Sequence, residues 1–536
     1  MKRNILIAAI AATPMLLSAQ SAAEAYQMSQ PDMKGTARFM GMAGAFGALG
    51  GDLSTLNQNP AGIGVYRSSE VGITFDIDMQ STKTSAPGAS VSDDQTKVYC
   101  NNFGYVGTTM LSSEVMPVFS WGASFSRVQS FDRVYRGKIP TLNASLSNNI
   151  AASTNNARLT QADLQYVPGS FDPYIDPIGP SYYAPWLSIL AYDAYAIVPT
   201  ADGDSFNGIV MQPGAAGDAS FVNRERGYVD EYSINFGGNI MNTVYWGLGF
   251  GITDIDYKSE TYYDEAWSGA TIVSADERGT ETGNAYYGLE NFLHNYGTGF
   301  NMKLGVIVKP INELRLGLAV HTPTWYSMTS NYYAAMDFDY SSGLRGYSET
   351  NDGYIYSEEY NYRTPWRLIA SAAGVIGGRG IISVDYEYVD YSSMSYSNDW
   401  DEYDDFNSDI ERYYKGMNIV RIGGEYRVTP QFSVRAGYSY QSSPVEARVA
   451  DGDEYVYTAG TRPSYTFDKT TQYITCGLGY RYKGFYADMA YVHKNRESTY
   501  HAFSSTMDGS VIIDRSPEVS LKDNNNSLVF SVGYKF

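Results

Sequence analysis

Long apolar segments, cysteine and positive charge are all scarce in this sequence. Each shortage limits the possible class of protein, its disulfide bonds or its partners. After the N-terminal segment, no stretch approaches the roughly 18 uninterrupted apolar residues of a membrane-spanning helix, so a helical membrane protein is excluded. The two cysteines, Cys100 and Cys476, are far apart and could form a disulfide only if the fold brought them together. With 58 acidic against 38 basic side chains and a net charge of −20, nucleic acid is not expected as a partner.

Groups that perform catalysis or bind metals are also few. None of the four histidines has another at metal-ligand spacing, and no Gly-x-Ser-x-Gly nucleophile motif occurs. Asp385 and Glu387 are two positions apart and could share a proton, but nothing else gathers around them. We therefore expect no enzyme, no metal site and no cofactor, with an enzymatic barrel kept as a rival class.

Residues 1–25 have the features of a secretion signal. Lys2 and Arg3 precede an apolar run from Ile5 to Leu17, and small residues follow. Cleavage is expected after Ala25, where Ala23 and Ala25 form an A-x-A arrangement, or nearer Gln20. The mature chain is therefore expected to be exported.

Much of the remaining sequence alternates strictly between apolar residues and polar or small ones. The pattern is clear at 244–252, 300–309, 431–440, 474–482 and 528–536. Alternation of this kind fits an antiparallel sheet with one wet face. Strands of about ten residues, with Tyr and Trp crowded at their ends, match a tilted bilayer crossing flanked by an aromatic girdle.

The connections between the strands alternate in length. Short ones follow even-numbered strands and long ones follow odd-numbered strands, which is the asymmetry of an outer-membrane barrel. We predict an all-β fold, a 14-stranded antiparallel transmembrane β-barrel over residues 67–536, whose largest extracellular loop is 131–226. The predicted strands are 69–80, 96–109, 115–130, 227–241, 244–258, 295–309, 313–333, 356–376, 380–397, 416–428, 431–442, 469–482, 485–500 and 525–536.

A segment rich in glycine and alanine, Gly35 to Tyr66, precedes the first strand. Its glycines lower helix stability, which a segment pressed against surrounding walls would tolerate. We predict that residues 26–66 form a partly helical plug, or hatch, inside the barrel, with a mobile arm as the alternative. Four apolar side chains would share one face of a helix, and a turn follows them: Phe39, Met42, Phe46 and Leu49, then Asn59, Pro60, Ala61 and Gly62.

This segment resembles the N-terminal hatch of the long-chain fatty acid transporter (FadL/TodX) family of outer-membrane proteins, including its Asn-Pro-Ala signature at residues 59–61. Similar stretches occur at 299–323, 364–388 and 421–445, so the resemblance runs from about residue 35 to the end. It implies passive, ligand-gated uptake of hydrophobic small molecules, such as long-chain fatty acids, across the outer membrane of a Gram-negative bacterium. The hatch would rearrange about Asn59–Gly62. Contact with membrane lipid and lipopolysaccharide is implied as well.

Several side chains are candidates for binding a ligand. The apolar hatch residues would contact it, and so would Trp186 and Leu187, which lie on a loop where water does not favour apolar groups. The alternative for the loop residues is packing on neighbouring loops. Alternation also places Asp385, Glu387, Arg421, Glu425 and Arg435 toward the lumen. These charges predict a ladder that stiffens the wall, or an Arg that meets a ligand carboxylate.

Two further segments carry expectations about partners. The acidic run from Asp399 to Glu411 predicts a solvated face, with binding of divalent ions or bridging to lipopolysaccharide as alternatives. The terminal Phe536 resembles the closing-strand signal that the outer-membrane assembly machinery reads. A polar-solute porin with an unblocked lumen, and a surface ligand-binding or adhesive barrel, remain the alternative functions.

Overall fold

Fourteen antiparallel strands make up the wall of the molecule. The computed structural model describes residues 20–30, 32–179, 182–209, 215–398, 403–508 and 511–536. The strands are β1 Glu70–Ala86, β2 Ala89–Met110, β3 Val118–Ser130 with Arg133–Ile139, β4 Ala216–Ile240, β5 Val244–Val273, β6 Thr280–Ile311, β7 Leu314–His321 with Trp325–Tyr340, β8 Tyr356–Arg363 with Arg367–Ile376, β9 Gly380–Asp390, β10 Gly416–Arg427, β11 Phe432–Gln441, β12 Tyr465–Tyr482, β13 Phe485–His501 and β14 Glu518–Lys535.

The sheet is closed. Each strand pairs with the next in sequence, and β14 returns to β1, with Glu70 opposite Lys535 and Ser85 opposite Ser520. This closed pairing confirms the predicted 14-stranded antiparallel barrel. Closure leaves no edge strand in the lipid. None of the described helices is long and apolar enough to span a bilayer.

Side chains alternate between the lumen and the outer surface as the sequence pattern requires. On β5, Trp246 and Ile252 point outward, while the intervening glycines face in. Large apolar side chains such as Leu318 and Leu478 are 65% and 53% exposed on the outside, where lipid covers them. Cys476 shares this exposed face, and both cysteines are free.

The extracellular connections differ from the sequence prediction. Segments 81–95 and 259–294, expected to be loops, are mostly strand: β1 and β2 pair up to Ala86 opposite Ala89, and β5 and β6 pair up to Val273 opposite Thr280. Likewise β4 begins at Ala216, inside the expected 131–226 loop. The prediction was wrong because it stopped these strands near the length that crosses a bilayer. Neighbouring hairpins continue to satisfy one another's backbone groups in water.

A cap of helices covers the extracellular end. Helices α4 and α5 lie in the first part of the 131–226 connection and are followed by α6, while α7 and α8 lie in later loops. Their bounds are α4 Leu146–Asn156, α5 Gln161–Leu164, α6 Trp186–Asp193, α7 Asp404–Tyr413 and α8 Ala447–Ala450, with short strands Ile197–Pro199, Phe206–Gly208, Arg345–Glu349, Ser395–Ser397, Thr506–Asp508 and Val511–Asp514 and 3-10 turns Thr350–Gly353 and Tyr391–Ser393.

One buried carboxylate ties this cap to the barrel. Glu265 on β5 is fully buried and accepts hydrogen bonds from the backbone N–H of Leu146 (2.8 Å) and the Ser145 hydroxyl (2.8 Å) at the start of α4. Tyr263, Trp267 and Tyr287 donate to the same carboxylate at 2.7, 2.7 and 2.5 Å. Five donors therefore replace the water that the charge gives up on burial.

The N-terminal segment lies inside the barrel. It contains α1 Ala22–Ser29, α2 Ala37–Met40, α3 Thr55–Gln58 and a 3-10 helix Pro60–Val65. Most side chains between Met33 and Tyr66 are buried. We use the name hatch for residues 32–66, the part of the expected 26–66 segment that follows α1. Of the expected signal segment 1–25, residues 1–19 lie outside the described residues, and residues 22–25 belong to α1.

The wall is interrupted between β2 and β3. These strands pair only from Asn102 opposite Ser126 to Met110 opposite Val118. Above this point the second part of β3 stays paired with β4, from Arg133 opposite Glu225 to Ile139 opposite Ala219, and side-chain contacts such as Arg136 to Asp93 at 2.8 Å link it to β2. The Arg133 side chain points inward and reaches Asp523 on β14 at 3.0 Å. The result is a seam in the wall beside Cys100.

Candidate functional site

The hatch rests on inward-facing glycines from six strands of the wall. A Cβ added to Gly437 would lie 2.5 Å from Met42 C, and one added to Gly237 would lie 2.5 Å from Ile63 Cγ2. Side chains would also overlap hatch backbone or Asn59 at Gly247, Gly305, Gly317 and Gly423. Absence of a side chain at these positions lets the two backbones approach closely, so the hatch fits this ring of glycines.

A carboxylate on the wall holds the middle of the hatch. Asp385 Oδ2 on β9 accepts hydrogen bonds from the backbone N–H of Phe46 (3.0 Å) and Gly47 (2.8 Å), and from the Gln58 amide (2.9 Å). Asp385 is fully buried. Because hydrogen bonds to a buried charged group are strong, Asp385 is the main polar anchor of this turn.

The Asn-Pro-Ala-Gly turn links the hatch to itself and to the wall. Asn59 donates to Gly47 O at 2.6 Å, and its Oδ1 accepts from the Ala61 N–H at 3.1 Å, which caps the 3-10 helix. His321 Nε2 lies 2.8 Å from Gln58 O. Asn59, Pro60, Ala61 and Gly62 are all buried, and they sit between the 46–47 turn and strands β4 to β6.

Ion pairs fix the start of the hatch. Lys34 Nζ lies 2.7 Å from Asp76 on β1, and Arg38 lies 2.9 Å from Glu425 on β10. Burial alone would lower the pKa of Lys34, but Asp76, Asp78 and Asp32 outweigh it and raise this pKa above its usual value. Both cations therefore stay charged, and moving the hatch would take one cationic partner away from each of two buried carboxylates, Asp76 and Glu425.

The five predicted lumen charges all lie inside the barrel, and four of them belong to two ion-pair networks. Arg435 bridges Glu425 (2.7 Å) and Asp488 (2.6 Å). Glu387 lies between Arg421 at 2.7 Å and Arg367 at 2.5 Å. Each predicted arginine is thus already paired with a wall carboxylate, and Asp385 and Glu387 have separate partners.

The apolar hatch residues pack together, but not on one helix. Phe39, Met42, Phe46 and Leu49 belong to one buried cluster. The expected shared helical face is wrong, because α2 ends at Met40. Positive φ angles at Ala43 (51°) and Gly44 (74°) turn the chain out of the right-handed helix.

Trp186 and Leu187 are placed by the cap. Trp186 is 2% exposed, and its ring lies 5.4 Å from Tyr332 and 5.5 Å from Tyr356. Leu187 lines a crevice of about 90 Å³ between α4, α6 and the 455–463 loop. The structure therefore gives Trp186 the packing role that the sequence left open, and Leu187 borders an extracellular crevice.

Above the hatch, α1 occupies a pocket lined by tyrosines, which the sequence analysis missed. The Tyr26 ring lies 5.0 Å from that of Tyr391 and 5.1 Å from that of Tyr414. Tyr362 donates to Ala25 O at 2.6 Å. The only signal was the high content of 49 tyrosines, spread over distant strands and loops.

Two cavities flank α1. One, of about 110 Å³, is lined by Met28 and by Lys303 and Arg367 on the wall. The other, of about 50 Å³, is strongly polar and includes Asp32 and Arg496. Removal of α1 would join these spaces to the tyrosine-lined pocket directly above the hatch.

The acidic run after β9 is partly described. Asp399, Asp401 and Glu402 lie outside the described residues, and the rest forms α7 and the residue before it. There Arg412 lies 2.6 Å from Asp409 and 3.0 Å from Glu454. Within the described parts of the chain, no cluster of three potential metal-binding side chains occurs.

Comparison with known proteins places this architecture. The family model described as outer membrane protein transport protein (OMPP1/FadL/TodX) matches residues 233–514. Among solved structures, a Pseudomonas aeruginosa FadL homologue has a TM-score of 0.50 at 13% identity, covering 94% of this chain and 99% of that one. The P. putida toluene transporter TodX and the Ralstonia pickettii toluene transporter TbuX have TM-scores of 0.45 and 0.44, each at 12% identity with the same coverage. No curated protein matches the sequence.

The family model covers more than half of the chain, and the closed barrel with its N-terminal hatch agrees with it. That family consists of transport proteins of the outer membrane and not of enzymes. The chain therefore belongs to the OMPP1/FadL/TodX family of outer-membrane transport proteins for hydrophobic compounds.

Proposed function

We propose that this protein is a passive, ligand-gated channel for hydrophobic or amphipathic small molecules, with the hatch as its gate. The observation that carries the proposal is the seating of the hatch: its backbone lies on glycines of six wall strands, and Asp385 and Glu425 anchor it. A polar-solute porin needs an unblocked lumen, which this arrangement does not provide. An adhesive barrel would have no need of a separately anchored hatch.

The proposed ligand site is the tyrosine-lined pocket that α1 occupies, together with the cavity beside Met28. Lys303 and Arg367 border that cavity; Lys303 pairs with Glu231, and Arg367 uses its Nε and one Nη on Glu387. The guanidinium has further N–H donors, and a ligand carboxylate that accepts from them would favour a fatty acid or another acidic amphiphile over a plain aromatic hydrocarbon. The toluene transporters among the structural neighbours make the aromatic ligand the competing choice.

Coupling to the gate follows from chain continuity. A ligand that displaces α1 moves residues directly attached to the hatch at Asp32 and Lys34. Asp32 accepts hydrogen bonds from Tyr473 (2.9 Å) and Lys494 (3.0 Å), so displacement would break wall contacts at the top of the hatch first. The hatch then shifts about Asn59–Gly62, provided that the ligand binds the shifted arrangement more tightly.

A cross-link that fixes the hatch to the wall tests the gate. A Cβ on Gly41 would lie 3.5 Å from Ala490 Cβ on β13, within the range of a disulfide. We expect Gly41→Cys/Ala490→Cys, in a background with Cys100→Ser and Cys476→Ser, to block uptake of labelled oleate when oxidised and to recover it with reductant. Each single-cysteine variant is the matched control. Equal uptake in both redox states would show that the hatch need not move.

Ligand identity is tested separately with the same cells. Uptake of labelled oleate and of labelled toluene is compared in wild type, in an Asn59→Ala variant and in a strain without the protein. Oleate uptake that depends on the protein supports the acidic amphiphile, whereas dependence for toluene alone supports the aromatic ligand. Equal uptake with and without the protein would remove the transport assignment for that compound.

For the exit route, we propose that the ligand leaves sideways through the seam between β2 and β3. Cys100 lies at a bulge in β2 beside this seam, while Cys476 lies on the lipid face of β12, and each provides a natural labelling site. Reaction with a bulky apolar maleimide should reduce uptake in Cys476→Ser, where only Cys100 can react. Uptake should not change in Cys100→Ser. Equal effects in the two variants would favour an axial exit.

A further inference from the structure

The first residues of helix α1 form an N-cap, which is a feature of the folded protein and not of a leader that is removed. Ser21 is its N-cap, and the Ser21 hydroxyl accepts from the Glu24 N–H at 3.4 Å. The sequence Ser21-Ala22-Ala23-Glu24 thus has the S-x-x-E spacing of a capping box. Cleavage after Ala25 would remove the cap and the first turn, and the four remaining helical residues are too few for a stable helix.

Residues of the wall and of its connecting loops also bind the residues that such a cleavage would remove. Tyr396 donates to Ser21 O at 3.1 Å, and Tyr362 donates to Ala25 O at 2.6 Å. The Glu24 carboxylate lies 3.6 Å from the Arg462 guanidinium, and less than a tenth of either side chain is exposed. Without Glu24, this buried guanidinium would lose the acidic partner within ion-pair distance.

A chain that began at Tyr26 would have its charged α-amino group in a buried position. Its new α-ammonium would lie at a residue that is 4% exposed and whose ring packs between Tyr391 and Tyr414. Burial of an ammonium away from water is unfavourable without an acidic partner. Cleavage after Ala25, at the A-x-A arrangement of Ala23 and Ala25, is therefore unfavourable for the folded protein.

We infer that signal peptidase cuts between Ala19 and Gln20, so that α1 is retained whole in the mature protein. Water is added across that peptide bond: Ala19 leaves with the new carboxylate, and Gln20 begins the mature chain with the new amino group. Ala19 supplies the small residue that the peptidase requires before the cut. The retained residues 20–25 then close the tyrosine-lined pocket from the start of the mature chain.

The cleavage site is read directly from protein purified from outer membranes. Mass spectrometry of its N-terminal tryptic peptide should show residues 20–34, with the N-terminal glutamine open or cyclised. A peptide that starts at Ala22, Glu24 or Tyr26, or an uncut leader, overturns the inference.

Two matched substitutions provide an independent test. Ala19→Gln puts a large residue directly before the inferred cut, so the precursor should accumulate. Ala23→Gln spoils the alternative cuts after Ala23 and Ala25, and it should be processed like wild type because Ala23 is only partly buried. Accumulation of precursor in Ala23→Gln but not in Ala19→Gln would overturn the inference, and so would normal processing of both variants.

Discussion

Replacement of Gly423 by alanine tests whether the glycine ring holds the gate closed. Gly423 faces the lumen on β10, and a Cβ there would overlap Met42 O, lie 2.9 Å from Met42 Cβ and lie 3.2 Å from Ala45 Cβ. All three of these neighbours are backbone or Cβ atoms, so the hatch itself must shift. Its neighbour Gly424 faces outward, and a Cβ there would lie 3.6 Å from Ile381 O, an ordinary contact.

The size of the effect follows from the cost of overpacking. Extra atoms in a well-packed interior cost about 1–3 kcal/mol. This strain acts on the seated hatch and is released when the hatch moves away from the wall. The ratio of displaced to seated hatch should therefore rise roughly 5–150-fold.

Planar-bilayer recordings measure this ratio as the fraction of time that single channels conduct. Gly423→Ala should increase that fraction, while Gly424→Ala, one residue along the same strand, should match wild type. Migration as a folded barrel on unheated gels controls for assembly of both variants. Unchanged conductance in a folded Gly423→Ala protein, or equal changes in the two variants, would refute the view that close seating keeps the hatch shut.

Three further substitutions probe the anchors. Asp385→Ala should weaken the anchoring of the hatch by about 2–3 kcal/mol, because two backbone N–H groups and the Gln58 amide lose a charged acceptor. Hydrogen exchange of residues 44–58 should become faster. Unchanged exchange would show that Asp385 does not anchor the hatch. Arg435→Met should destabilise the protein by about 3–5 kcal/mol, because buried Asp488 loses its cationic partner and Glu425 keeps only Arg38. Its thermal unfolding should be compared with that of exposed Arg427→Met. Equal Tm values for Arg435→Met and Arg427→Met would show that the ion-pair network does not stabilise the protein. Glu265→Ala should make the 142–209 part of the cap more sensitive to limited proteolysis. Glu260→Ala, which removes only an exposed ion pair with Arg224, should not. Equal protease resistance of the two variants would show that other contacts hold the cap.

The number of barrel strands and their orientation could be read from the sequence. The alternation at 528–536 or 244–252 places one face toward lipid and the other toward the lumen, because successive side chains on a strand point in opposite directions. Connection lengths then assigned each end of the barrel to one side of the membrane. Both signals are local, so they survive without any knowledge of tertiary contacts.

The presence of the hatch was also predictable, because glycine-rich sequence before a barrel needs close walls. Its shape was not. The pattern from Phe39 to Leu49 suggested one helix, yet the chain leaves the helical conformation after Met40. Contacts with Gly423, Gly437 and Asp385, which are hundreds of residues away, outweigh a weak local helix preference.

What only the tertiary structure decided is how distant residues meet. The tyrosine-lined pocket brings Tyr362, Tyr391 and Tyr414 from separate strands or turns around Tyr26 of α1, and no spacing in the sequence predicts this. Likewise, strand length above the membrane depends on a partner hairpin that supplies hydrogen bonds. Periodicity along the chain determined the wall, while the lumen was determined by which side chains closure of that wall brought together.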